Sequence, residues 1–224
     1  MRLYSYCLRY DDGAAPNPYW GICTLAICKP GIRRTANVGD WVVGVGSKNS
    51  PVGDISNQVV YAMRVTRILA MRDYDDYCRA ALAQKIPRWR HADFRRRVGD
   101  CIYDFASGIT PSVRESVHTD ANRETDLGGV NVLLSNHFYY FGNNPIPLPD
   151  HLLRIVHQTQ GHKCQANEEL AHPFVAWVDG LGVAPNSLLG EPQMKDTILT
   201  MAPEECRNLC SKYSEEDNNN DGTR

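Results

Sequence analysis

The sequence predicts an α+β fold, a curled mixed β-sheet or partial β-barrel flanked by helices, with a helical C-terminal part. Short apolar runs of strand length, bounded by Gly, Pro, Asn or Asp, crowd the chain as far as Phe141. Helix-type patterns dominate after Pro149, and no internal repeat divides the chain. At 224 residues and 42% apolar, there is enough for one core. We expect a single domain over residues 1–213 and a disordered acidic tail over 214–224, SEEDNNNDGTR.

The first strand is Leu3–Tyr10, with Tyr4, Tyr6, Leu8 and Tyr10 on alternate positions. Asn17-Pro18 is a turn signal, and strands follow at about 22–28 and 40–46, the second after the Gly39-Asp40 turn. Val59–Leu69 reads as one strand, with Val59, Tyr61, Met63 and Val65 on one face. Residues 73–84 read as a helix with Asp73 as N-cap and acids in its first turn. Val98–Phe105 is a short strand and Val130–Phe141 a long aromatic one. Asp150–Thr159 is a helix with Leu152, Leu153 and Val156 on its apolar stripe, ended by Gly161-His162. Short helices are expected from Pro173–Val178 and over Pro203–Tyr213.

The formal net charge is −2, so any nucleic-acid contact must come from a local patch. The N-terminus carries no apolar signal region, and no run approaches the roughly 18 apolar residues of a membrane span. The expectation is a soluble, cytoplasmic protein. Its eight cysteines read as reduced thiols, several of them buried. No CxxC pair occurs, and the spacings of His162, Cys164, Cys206 and Cys210 do not match zinc knuckles, so neither metal nor cofactor is expected. Phosphate-loop, HExxH and GxSxG patterns are absent.

The candidate site residues come from three stretches. In NVLLSNHFYYFG, Ser135, Asn136 and His137 could bond a ligand edge while Phe138, Tyr139 and Tyr140 stack a planar base. Alternation puts Phe138 and Tyr140 on one face, Tyr139 and Phe141 on the other, so at most half can line one site. The alternative is a buried core strand. Around residues 16–48, Asn17, Tyr19, Trp20 and Trp41 supply rings and a turn, while Lys29, Arg33, Arg34, Ser47 and Lys48 suit an anionic, planar ligand. The basic segment RWRHADFRRR holds Arg88, Arg90, Arg95, Arg96 and Arg97 and, with Lys85 before it, could hold phosphates. Its alternative is a solvated loop paired with acids. For catalysis, Asp40, Asp100, Asp126 and His137 could act as general acid or base. Ser135 and His137 could form a nucleophile pair with Asp126 or Asp100 as acid partner.

The pieces APNPYWG, CKPGIRR, GDWVVGVGSK, VVYAMRV and LLSNHFYYFG, with the later Gly161-His162, resemble the second type of nucleotide modification associated domain. The resemblance runs from about Met1 to about Trp177. It implies a genomic neighbourhood, in phage and bacteria, of DNA base hypermodification, and it places His162 in a family pattern. A second, weaker similarity links the Gly39-Asp40 turn to modified-base-reading barrels of the PUA and EVE type. The resemblance leaves two classes open. One is a binding module for DNA or a nucleotide, recognising a modified base by stacking and phosphate contacts. The other is an enzyme of base modification acting on a flipped base or free nucleotide. A structural partner in a phage or defence complex, alongside other base-modification proteins, is a third.

Overall fold

A computed structural model describes residues 1–157, 159 and 161–200. It is a mixed α+β fold with several sheets, none closed. The strands are β1 (Leu3–Leu8), β2 (Cys23–Leu25), β3 (Trp41–Gly46), β4 (Gln58–Arg64), β5 (Arg67–Ala70), β6 (Tyr103–Asp104), β7 (Ser112–Val113), β8 (Asn131–Ser135), β9 (Phe138–Tyr140), β10 (Ile146–Pro147) and β11 (Ser187–Leu188). The α-helices are α1 (Pro30–Thr35), α2 (Met71–Ala81), α3 (Phe94–Arg97), α4 (Arg123–Gly128), α5 (Ala171–Asp179) and α6 (Lys195–Thr200). The larger sheet has the order β1-β3-β4-β9-β11, with β10 also paired to β4; a smaller one has the order β2-β8-β5.

Two segments expected to be single strands each divide between these sheets. Val59–Leu69 becomes β4 and β5, and Val130–Phe141 becomes β8 and β9. The two segments run antiparallel: Tyr61 faces Tyr140 in the larger sheet, and Ile68 faces Leu133 in the smaller. Between them the ribbon bends. The Val65 N–H leaves the ladder for Asp40 O, Arg64 N–H goes to His137 O, and Asn136 N–H goes to Thr66 Oγ1. Local alternation gives no sign of this bend, because β4, β8 and β9 are buried on both faces.

Three cores separate the layers. Trp41, Val43, Tyr139 and Phe141 lie between the larger sheet and α5 with the tight turns at Asp150–Ile155 and Gln165–Leu170. Tyr6, Tyr61, Phe138 and Tyr140 face the other way, against Leu25, Leu133 and α1. Val132 and Leu134 cover the far side of the smaller sheet against α2, Trp89 and Phe94. Gly44 is a glycine because a Cβ there would come within 2.5 Å of the Tyr61 ring.

Other boundaries differ from expectation. The 73–84 helix is α2, preceded by Ala70, so Asp73 is not its cap. Of the helix expected over Asp150–Thr159, the described residues form a 3-10 helix over Asp150–Ile155. Within Val98–Phe105 only Tyr103–Asp104 is strand, because Gly99 packs on the Lys85 carbonyl and Asp100 turns inward. Pro173–Val178 falls inside α5. The expected Pro203–Tyr213 helix, the acidic tail, Cys206 and Cys210 lie outside the described residues. Among the described residues no helix is long and apolar enough to cross a membrane.

Candidate active site

After β2 the chain passes buried Ala26 and Ile27 and then turns sharply. Cys28 (φ 58°) and Lys29 (φ 41°) both adopt the left-handed region, which disfavours residues with a Cβ by about 1–2 kcal/mol each. Pro30 then opens α1. The turn swings the half-buried Cys28 toward the loop after β7, where His118 is buried beside Val117. Cys28 Sγ lies 3.6 Å from His118 Nε2. On the other edge of the ring, Nδ1–H donates to Asp126 Oδ2 at 2.6 Å. A carboxylate only accepts, so Nδ1 carries a proton and Nε2 faces the sulfur.

Asp126 sits on α4, fully buried. It also accepts from Tyr103 OH (2.9 Å) and from the Cys28 backbone N–H (2.8 Å), so the acid holds both its histidine and the peptide of Cys28. Arg33, on α1 and fully buried, completes the frame. Its Nε donates to Cys28 O (2.7 Å), Nη1 to Asn131 O (2.9 Å) and Nη2 to Asp126 O. Gly129 leaves room for it, since a Cβ there would overlap the guanidinium.

The electrostatics match this order. Burial alone would lower the His118 pKa, but the charges of Asp126 and Cys28 outweigh it and hold it well above the ordinary histidine value. Burial alone would raise Asp126; His118, with help from Arg33, holds it below its ordinary value. Burial and the Asp126 charge push the Tyr103 phenol upward, keeping it a donor.

This is the arrangement of a thiol nucleophile, a proton carrier and an orienting acid. Their ligand atoms lie within 4.8 Å of one another, close enough to consider a cation. The bonding order disfavours one. Asp126 occupies Nδ1 and Cys28 faces Nε2, so an ion at Nε2 would find two ligands, not the three or four of a zinc site.

Of the sequence-predicted residues, Asp126, Arg33 and Lys29 gather here. Lys29 Nζ lies 4.9 Å over the Tyr6 ring, and Arg34 reaches Gly128 O. Asp100 belongs to a separate buried network. It accepts from Tyr74 OH (2.7 Å) and Thr24 Oγ1, while Lys85 Nζ donates to Asn17 O, Asn17 Oδ1, Ile22 O and Thr24 Oγ1. Fully buried and saturated, Lys85 is a cross-link within the fold rather than an accessible phosphate ligand. Asp40 is held by Arg2 and the Asn37 N–H at the start of β3.

Ser135 and His137, which the sequence allowed as a nucleophile pair, do not join their side chains. Ser135 Oγ donates to the His137 carbonyl (2.8 Å), and the His137 ring turns to Asp179 (3.2 Å) and edge-on to Trp41. Trp41, Phe138, Tyr139 and Tyr140 are buried, their rings packed in the cores; Tyr139 OH bonds Asp179 and Tyr140 OH bonds Asp11. Tyr19 is buried edge-on to Phe94, and Trp20 lies under Arg95. Ser47 Oγ accepts from Asn49 N–H beside exposed Lys48, and Asn136 is exposed. Arg95, Arg96 and Arg97 lie in α3, and Arg88 and Arg90 precede it in the chain.

Sequence reading missed Cys28 and His118. The available signal was CKPG, a cysteine where a strand ends in a proline-glycine turn. His118, 90 residues away, had none. No curated protein and no solved structure matches the chain significantly. The model of the nucleotide modification associated domain 2 family matches residues 1–198. An N-terminal region that begins in the tyrosine-lined strand β1, carries the Cys28 turn and ends in α6 is thus matched as a unit, and the chain belongs to that family.

Proposed function

We propose that this protein is a cysteine-dependent enzyme of nucleotide modification, making or breaking an acyl-type bond on a nucleotide or nucleobase. The observation that carries the reading is the unbroken row from Cys28 Sγ through the two His118 nitrogens to Asp126 Oδ2. The family supports the nucleotide context. The buried aromatic strand gives less support to base stacking, since its ring faces already have protein partners.

In the first half-reaction the Cys28 thiolate attacks a carbonyl carbon and the C=O π electrons move to oxygen. Collapse of the tetrahedral adduct breaks the bond to the leaving group, which takes the proton from His118 Nε2, leaving a thioester. In the second, water or an acceptor amine adds to the thioester and loses its proton to Nε2. The carbon–sulfur bond breaks, and the thiolate returns beside the imidazolium. Asp126 fixes the ring's tautomer and stabilises its charged form.

Intact-mass and peptide analysis after brief exposure to p-nitrophenyl acetate tests this. One acetyl adduct, on Cys28, is expected, released on adding an amine; Cys28→Ala should show none. Equal labelling of the other thiols, or no adduct on Cys28, would refute the nucleophile assignment. The Cys28→Ala chain should keep its fold, because Asp126 and Arg33 hold the backbone of this residue rather than its sulfur.

A further inference from the structure

The basic segment after α2 stands apart from the Cys28 site, and its geometry is unusual for a solvated loop. Two aromatic residues anchor it: Trp89 and Phe94 are buried in the core formed with α2. The arginines are their chain neighbours, so anchoring the rings fixes where the cations emerge. The backbone is cross-tied as well. Arg88 N–H donates to Arg96 O (2.7 Å), His91 N–H to Arg88 O (2.9 Å) and Arg96 N–H to Asp93 O (3.0 Å). Residues 88 and 96 are thereby held side by side.

Three of the five arginines have internal partners. Arg95 takes both oxygens of Asp93 and covers the Trp20 ring at 4.8 Å. Arg97 Nε donates to His91 O (2.6 Å). Arg90, largely exposed, comes only within 3.7 Å of Glu115. Arg88 and Arg96 have neither a side-chain hydrogen bond nor an ion pair among the described residues. Partial burial, and then the like charge of Arg88, lower the Arg96 pKa from its ordinary value. The fold therefore holds two like charges together on a chain whose net charge is −2, and the charge of Asp93, whose oxygens are taken by Arg95, offsets them only in part.

We propose that this segment is a docking surface for the sugar–phosphate backbone of a nucleic-acid strand, with Arg88 and Arg96 as its principal phosphate contacts and Arg90 beside them. Guanidinium forks match phosphate oxygens in pairs, and a strand presents phosphates in series, so neighbouring arginines engage at once. A free nucleotide would gain one such contact from so open a surface. The Trp20 ring, already covered by Arg95, adds no base stacking, so the surface reads backbone rather than sequence. This inference does not rest on the assignment of Cys28.

Fluorescence anisotropy with the full chain and a labelled DNA oligonucleotide, single-stranded and as duplex, at about 50 and about 200 mM salt, tests it. The parent should bind at the lower salt. Arg88→Gln with Arg96→Gln should weaken binding about tenfold or more and make the duplex salt slope shallower by about 2, the loss of two phosphate contacts. Arg154→Gln, which removes an exposed charge elsewhere, should bind like the parent. Failure of the parent to bind, an unchanged slope in the double variant, or an equal loss in Arg154→Gln would overturn the proposal. Displacement by polyglutamate as effectively as by unlabelled DNA of equal charge would overturn it in favour of an acidic polypeptide.

Discussion

Between the sulfur of Cys28 and the carboxylate of Asp126 stands a single imidazole ring, and each of its nitrogens has one defined neighbour. The consequences at this scale are chemical. Replacing His118 by Asn removes the proton carrier and should lower turnover, or the rate of Cys28 acetylation, by about 10²–10⁴. Asp126→Asn removes the charge that holds the imidazolium, and its single remaining oxygen cannot serve both the Tyr103 OH and His118 Nδ1 on one side and the Cys28 N–H on the other. Urea unfolding should show a loss of about 3–5 kcal/mol, the usual result of breaking a buried pair from one side. Since Asp126 is held below its ordinary carboxylate value, its contribution is present above that value and fades as the pH falls through the depressed one. His118 has the opposite sense. Its contribution is complete below the ordinary histidine value and is lost only as the pH rises through the raised one.

Cys28, His118 and Asp126 come from elements with little regular structure: a strained turn before α1, the loop after β7 and the short α4. What joins them is Arg33, whose guanidinium reaches the carbonyls of Cys28, Asp126 and Asn131 from one point on α1. Two adjacent glycines test this clamp. Gly129→Ala would place a methyl group in the guanidinium, and it should destabilise the protein by about 1–3 kcal/mol and slow labelling of Cys28. Gly128→Ala has no atom within 4 Å of the added group, so stability and labelling should match the parent. Thermal melts and timed alkylation of the pair read both effects. A clamp of no consequence would make the two variants alike.

Across the whole molecule, charged groups lie in the layers as well as on the surface. Asp11 is buried, accepts from Tyr140 OH in the larger sheet (2.6 Å), and through its carbonyl holds the Met194 N–H just before α6. Burial raises its pKa from 3.8 to about 7. A raised acid binds more protons folded than unfolded, so global stability should fall as the pH climbs from about 4 to about 7 and level off above. Asp11→Asn, which still accepts from Tyr140, should raise the melting temperature at pH values near 8 and change it little near pH 4. A gain of equal size at both would show that the carboxyl does not titrate in the fold.

The strands near 3–8, 23–25 and 41–46 were legible because turn residues bracket apolar runs, and α2 because acids fill its first turn and a proline follows its end. The opposed facing of Phe138 and Tyr139 was legible from the two-residue repeat of a strand. The bend that divides the ribbon between two sheets was not, because β4, β8 and β9 are buried on both faces, which erases the contrast that alternation depends on. Asp126 was recognisable as a candidate acid, but its partner His118 was not.

The sequence by itself determined the α+β class and the family, since both are written in short, ordered motifs that need no third dimension. Only the tertiary structure decided which side chains meet. Cys28 stands 90 residues from His118 and 98 from Asp126, and no helical or strand period spans such distances. Long-range packing, with one buried arginine at its centre, brings them within hydrogen-bond reach.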